Sequence, residues 1–383
     1  MRAFILVIDG FGIGAMPDCR KYGDLGANTL KNIRQTYEIN IPTLVDMGLY
    51  NIDGTYNDDR SPNGAYARLS ELSKGKDTTV GHWEMAGVIT SKPLPTFPEG
   101  FPQEFVEQLE SAFGTKILCN KPYSGTEVIK DYGNEHLKTG YPIVYTSADS
   151  VLQIAVHRDK YSIEELYDMC KKARKLCTGN YGVGRIIARP FAGEYPFVRT
   201  AERKDYSLDP TGVTLLEVVK NAGLESVAVG KIEYIFNGIG ITRSLHTESN
   251  LDGLNKTLEI AKEKFDGLVF VNLVDTDMKF GHRRDVFGYA EALEEIDGKV
   301  AELIKLMRHD DVLYITGDHG CDPTHTTHTD HTREFVPLLV YGADVIPTNL
   351  GTLEGFDVIS DTIKAQLGID ENAPKSLWEK ITR

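Results

Sequence analysis

The chain is 383 residues long, which leaves room for two or three domains of common size and a substantial buried core. Apolar residues make up 41% and charged residues 26%, the balance of an ordinary globular protein, and no apolar run nears the roughly 20 residues that a membrane helix needs. With 42 basic against 56 acidic residues the net charge is −14, which disfavours nucleic acid and anionic membranes as partners. An anionic ligand would therefore have to be held by local cations.

In chain order, "AFILVIDG" comes first and reads as a buried strand; it is too short for the apolar region of a secretory leader and has no small-residue cleavage site. "GIGAMPDC" contains G-x-G but no G-x-G-x-x-G, so its glycines read as a turn rather than a dinucleotide site. From about Pro93 to Pro210 the chain is broken by Pro and Gly, then offers "YPIVYTSADS", "VLQIAVH", a helical "SIEELYDMCKKARKLC" and "GRIIARPF". This reads as a smaller α/β domain, residues 93–210, inserted between two parts of a core at 1–92 and 211–383. Beyond it, "SVAVGK", "GLVFVNLVD", "VLYITGD" and "VPLLVYG" are short Val, Ile and Leu runs of the kind found in strands covered on both faces. "SNLDGLNKTLEIAKEKF" and "YAEALEEIDGKVAELIKLMR" repeat apolar residues every three or four positions and predict amphipathic helices. The alternation predicts an α/β fold with a central, mostly parallel sheet. Asp9, Asp275, Asp277 and Asp318 fall at the carboxyl ends of its strands, the edge where open α/β sheets bind ligands. The five cysteines, Cys19, Cys119, Cys170, Cys177 and Cys321, are scattered with no CxxC, which suits reduced thiols in the cytoplasm and implies no structural zinc.

Four separated segments carry oxygen or imidazole ligands: Asp9; "GKDTTVGHWE" with Thr78; "VDTDMKFGH" with Asp277 and His282; and "DHGCDPTHTTHTDHTRE". A single strand-end Asp is more often a helix cap or a loop residue. Several such segments converging on one sheet edge point to a metal centre, and the mix of N and O donors suits zinc, manganese or iron better than calcium or a lone magnesium. Two ions roughly 3.5–4 Å apart can clamp the attacking and leaving oxygens of a phosphoryl group, and a Thr hydroxyl between them becomes a nucleophile.

The segments "DGFGIGAMPD", "GKDTTVGHWEMAG", "YTSADSVLQIAVH", "GRIIARPF", "GKIEYIFNGIGIT", "DTDMKFGHRRD" and "TDHTREFVPLLVYG", in that order, resemble the prokaryotic-type phosphopentomutases of the alkaline phosphatase superfamily, over most of the chain. The resemblance implies an alkaline-phosphatase-like α/β core with an inserted cap domain and two Mn2+ ions, for which other divalent metals could substitute. It also implies pentose phosphate substrates, ribose 1-phosphate and ribose 5-phosphate being interconverted together with the 2-deoxyribose pair. Carried over residue by residue, Asp9, Asp318 and His319 hold one ion, Asp277, His282 and His331 hold the other, and Thr78 bridges them as the nucleophile. Thr78 is chosen over Thr79 because it stands four residues before His82, the spacing of the S-x-x-G-H motif in the related cofactor-independent phosphoglycerate mutases. Asp149, in the cap, resembles a family residue that reaches the active site; a loop Asp bonded to its own surroundings is the competing reading. A sugar bisphosphate would act as activator, and transfer would pass through phospho-Thr78 and a pentose 1,5-bisphosphate. The segment before "TDHTRE" is one residue longer and richer in His than the family's, and its His325 and His328 read as solvent-exposed or loop-bonded. The competing function is a metal-dependent phosphatase or phosphodiesterase of the same superfamily, in which water completes the reaction.

Overall fold

The computed structural model of the chain describes every residue except 57, 59, 148, 149 and 383. Its strands in chain order are β1 (Arg2–Ile8), β2 (Ala65–Ser70), β3 (Leu118–Pro122), β4 (Ile143–Thr146), β5 (Val151–His157), β6 (Arg185–Ala192), β7 (Val198–Arg199), β8 (Lys204–Ser207), β9 (Glu225–Val229), β10 (Arg243–Leu245), β11 (Gly267–Leu273), β12 (Val312–Thr316), β13 (Val336–Gly342) and β14 (Asn349–Glu354). They divide between two compact units, one formed by Met1–Lys92 with Pro210–Arg383 and the other by Pro93–Asp209.

The first unit is built on a sheet in the order β10-β9-β11-β1-β12-β13-β2-β14. Strand β1 is buried at every residue, as its unbroken apolar run requires, and lies parallel to β11 on one side and β12 on the other. Strand β13 departs from the parallel pattern, running antiparallel to both β12 and β2. The helix Asn250–Lys262 starts where the Ser249 side chain accepts the Asp252 N–H, and Val286–Leu306 where Asp285 accepts the Gly288 N–H. The second helix buries Tyr289, Leu293, Ile296, Val300 and Leu303, spaced four and three apart, into one core with Phe4, Leu6, Ile8, Val269, Val271 and Leu313. Each such side chain contributes about 1.5–3 kcal/mol on burial.

Register places the site. Ile8 pairs with Leu273, and Val7 pairs with both Asn272 and Thr316, so the residues just past the ends of β1, β11 and β12 emerge side by side. These are Asp9, the segment 274–277 and the segment 317–319.

The second unit has its own sheet, β3-β4-β5-β6-β7, with β8 paired to β6. Its helix Ile163–Leu176 opens with a capping box between Ser162 and Glu165 and buries Leu166, Met169, Cys170 and Ala173 with Leu152, Ile154 and Ile186. A separate cluster of Val128, Ile129, Ile143, Tyr145, Ala155 and Phe191 gives this unit further core of its own. Among the described residues, no helix is long and apolar enough to cross a membrane.

Candidate metal centre

Four stretches of chain meet at the carboxyl edge of β1, β11 and β12. After Asp9 the chain turns at Gly10, whose φ is +77° and where an added Cβ would lie 2.8 Å from the Cβ of Cys321 and 3.3 Å from that of Asp277. Only glycine suits both the angle and the space. After β11, residues Thr276–Gly281 form a π-helical turn in which the His282 N–H bonds to the Asp277 carbonyl at 3.1 Å. That wider turn brings residues five apart onto one side, which accounts for the D-x4-H spacing and leaves His282 Nε2 3.3 Å from Asp277 Oδ2. Asp275, also at this strand end, turns away: its carboxylate accepts from the Asn250 N–H at 2.9 Å and the Lys279 ammonium at 3.0 Å.

Thr78 begins the helix Thr78–Met85, capped by the Asp77 side chain on the Val80 N–H. Gly81 lets this helix approach β12, since a Cβ there would stand 2.3 Å from the Asp318 carbonyl oxygen. Trp83 and Glu84 hold it from the other side. The Trp83 indole donates to the Ile235 carbonyl at 3.0 Å, and the Glu84 carboxylate accepts the N–H groups of Leu72, Ser73 and Phe356 at 2.9, 2.6 and 2.9 Å. The T-x-x-G-H spacing thus delivers the Thr78 hydroxyl to within 3.1 Å of His319 Nε2.

Three imidazoles are oriented by backbone carbonyls, which can only accept, so each Nδ1 carries a proton. His319 donates to Gly320 at 3.0 Å, His282 to Thr329 at 2.6 Å and His331 to Lys76 at 2.7 Å. Each Nε2 is therefore turned toward carboxylates. His319 Nε2 lies 3.2 Å from Asp318 Oδ2 and 3.5 Å from Asp9 Oδ1, and His331 Nε2 lies 3.4 Å from Asp277 Oδ1. Among the described residues those three oxygens are buried without a hydrogen bond. Buried carboxylate oxygens gathered at such distances around these Nε2 atoms need cations among them, protons or metal ions, and a carbonyl-oriented imidazole is the usual support of a metal ligand. The donor set and its orphaned oxygens therefore fit divalent metal ions.

The electrostatics agree. Burial, then the carboxylates of Asp318 and Asp277, push the Asp9 carboxyl up to about 7. Burial also works against ionised Asp318 and Asp277, but His319 and His82 for the one, and His331 and His282 for the other, hold both below the usual carboxylate range. The bond to Asp277 raises His282 to about 9. In the absence of metal, protons occupy the gaps that cations would fill.

Two sets of side chains bring their ligand atoms within 4.8 Å of one another here: Asp277 with His282 and His331, and Asp9 with Asp277 and His319. Asp277 stands in both, whereas the sequence reading divides Asp9, Asp318 and His319 from Asp277, His282 and His331. Asp318 lies beside His319 and 3.4 Å from His82 Nδ1. Asp149 lies outside the described residues. His325 and His328 are apart from this centre: His325 Nε2 is 3.2 Å from the Gly23 carbonyl, and His328 Nε2 donates to Asp24 Oδ1 at 2.7 Å.

Sequence reasoning passes over Asn272, whose amide donates to Asp9 Oδ2 at 2.8 Å and to His82 Nε2 at 3.2 Å. Its one signal is a polar residue inside the apolar run "GLVFVNLVD". Arg333 is also missed: its guanidinium ties together Glu71, the Gly75 carbonyl and Asp18, bracing the loop that leads into Thr78.

The model of a family described as the Metalloenzyme superfamily matches residues 1–371. The phosphopentomutase of Acetivibrio thermocellus is 52% identical over 376 residues, covering 97% of each chain, and that of Lachnoclostridium phytofermentans is 53% identical over 367 residues, covering 94% of each. Among solved structures, the PH0037 protein of Pyrococcus horikoshii matches with a TM-score of 0.50 at 15% identity, over 97% of this chain and 98% of that one, a likeness of fold alone. Fold and centre thus define a metalloenzyme with an alkaline-phosphatase-like α/β core. Within that class the chain belongs to the phosphopentomutase family, and it is an enzyme of the isomerase class.

Proposed function

We propose that the enzyme interconverts ribose 1-phosphate and ribose 5-phosphate, with the 2-deoxyribose pair as further substrates, through a phosphothreonine at position 78. The observation that carries this reading is the Thr78 hydroxyl, 3.1 Å from His319 Nε2 at the start of a helix. Asp9, Asp318 and His319 would hold one Mn2+ ion and Asp277, His282 and His331 a second, with Asp277 near both; bound there, the ions would neutralise phosphate charge and lower the pKa of the Thr78 hydroxyl. The chain supplies the rest. The amino end of the helix Thr78–Met85 favours a phosphoryl anion on its first residue. Asn272 keeps Asp9 turned to the centre, and the three carbonyl-bound imidazoles cannot rotate away. A sugar bisphosphate primes Thr78. Transfer from Thr78 Oγ1 to the free hydroxyl of a pentose phosphate breaks the Oγ1–P bond as the new O–P bond forms, giving a pentose 1,5-bisphosphate. Attack by Thr78 on its other phosphate releases the isomer. The shielding role of the inserted unit, and that of Asp149 in reaching substrate, follow in this reading from the family resemblance.

The test is purified protein with Mn2+, ribose 1-phosphate and a trace of sugar bisphosphate, scored for ribose 5-phosphate against free phosphate. Ribose 5-phosphate as the main product is expected. Free phosphate as the main product would replace the mutase reading with a phosphatase.

A further inference from the structure

Away from that centre, but on the same unit, three ligand-type side chains meet where the turn after Tyr22 touches the Thr-rich segment 323–330. We propose that Asp24, His325 and His328 form a third cation site, one that takes Zn2+ or a similar borderline divalent ion and clasps the segment leading to His331. The site does not depend on the two-ion reading above.

Asp24 is the fixed element. Its side chain is fully buried, with Oδ2 accepting the Arg333 N–H at 2.8 Å and Oδ1 turned to His328 Nε2 at 2.7 Å. His325 arrives from the same side: its ring centroid is 4.8 Å from that of His328, and its Nε2 lies 2.5 Å from the Thr327 hydroxyl. One ligand atom from each of the three lies within 4.8 Å of the other two. Two imidazoles and one carboxylate are a donor set that zinc accepts at about 2.0–2.2 Å per bond, with a fourth position left for water or a carbonyl. The Gly23 carbonyl, 3.2 Å from His325 Nε2, is placed for that fourth position.

Two local costs are visible, and both are small. His328 Nδ1 now accepts the Asp330 N–H at 3.3 Å, so coordination at Nε2 moves the ring proton to Nδ1 and gives up that long contact. The Lys76 ammonium lies 3.3 Å from Asp24 Oδ1 and would be repelled by a dication there, but Asp330 Oδ2 is also 3.3 Å away and can keep it. The consequence reaches the main centre through the chain. His331 stands three residues after His328, and the Arg284 guanidinium already binds the carbonyls of Thr326 and His328 at 3.1 Å. An ion on Asp24 would pin the same segment from its opposite flank.

The measurement is an ion count. Full-length protein, stripped of metal, is equilibrated with buffered Zn2+ and desalted, and zinc per chain is compared with that of the His325→Ala/His328→Ala double variant. Wild type should carry one ion more than the double variant. The same one-ion difference should persist in a His331→Ala background, where the main centre is impaired. Failure of the two-ion reading would lower both counts together and leave the difference intact. Equal counts for wild type and double variant would overturn the third site.

Discussion

The hydroxyl of Thr78 stands 3.1 Å from Nε2 of His319, joining the first residue of a helix to the third residue past the end of β12. Thr78→Ala should therefore abolish mutase turnover, by several orders of magnitude, and leave metal content unchanged, while Thr79→Ala should have a mild effect. Intact mass and peptide mapping after incubation with a sugar bisphosphate check this. Phosphate on Thr79, or full activity without Thr78, would defeat the assignment.

Metal binding should depend steeply on pH. The carboxylate of Asp277 raises His282 to about 9, above its ordinary value, so in metal-free protein its Nε2 keeps a proton throughout the neutral range. An incoming ion must displace that proton, and the affinity for Mn2+ should fall by about tenfold for each pH unit below that value, with proton release on binding. Titration of metal-free protein at several pH values measures both. A pH-independent affinity would remove His282 from the ligand set.

Asn272 acts through Asp9 and His82 rather than on substrate. Asn272→Leu, which keeps the branched skeleton but removes the amide, should keep the fold but free Asp9 to rotate, weakening metal affinity by about 10–100-fold. Equilibrium dialysis gives the affinity, and activity should recover at high Mn2+. An unchanged dissociation constant would show that Asp9 needs no such support.

A separate anchor lies at the far end of β1. Arg2 and Asp311 are both fully buried and bonded through Nε at 3.0 Å, while the same guanidinium donates to the carbonyls of Ile260, Ala261 and Glu263. Asp311→Ala would leave that charge buried without its partner, and urea unfolding should register a loss of about 3–5 kcal/mol. A loss below about 1 kcal/mol would mean that the carbonyls and relaxation satisfy Arg2 unaided.

Much of the architecture is local information and was readable as such. Runs such as "AFILVIDG" and "GLVFVNLVD" report strands buried on both faces, and the three-and-four spacing of Tyr289, Leu293, Ile296, Val300 and Leu303 reports a helix with one apolar side. The sequence also presents Asp9, Asp277, His282, Asp318, His319 and His331 as ligand types beside strand ends. Strand-end position does not separate Asp275 from Asp277; the spacing to His282 favours Asp277, and the π-helical turn gives the physical reason, sending one to Asn250 and Lys279 and the other to the imidazoles. The antiparallel setting of β13, the place of Asn272 between Asp9 and His82, and the meeting of Asp24 with His325 and His328 have no local signature. Periodicity and residue type follow from neighbours along the chain, so a sequence displays them directly. Which carboxylate faces which nitrogen depends on the register of β1 against β11 and β12 and on contacts between residues some 300 positions apart, such as Asp24 and His328, and only the packed structure sets these.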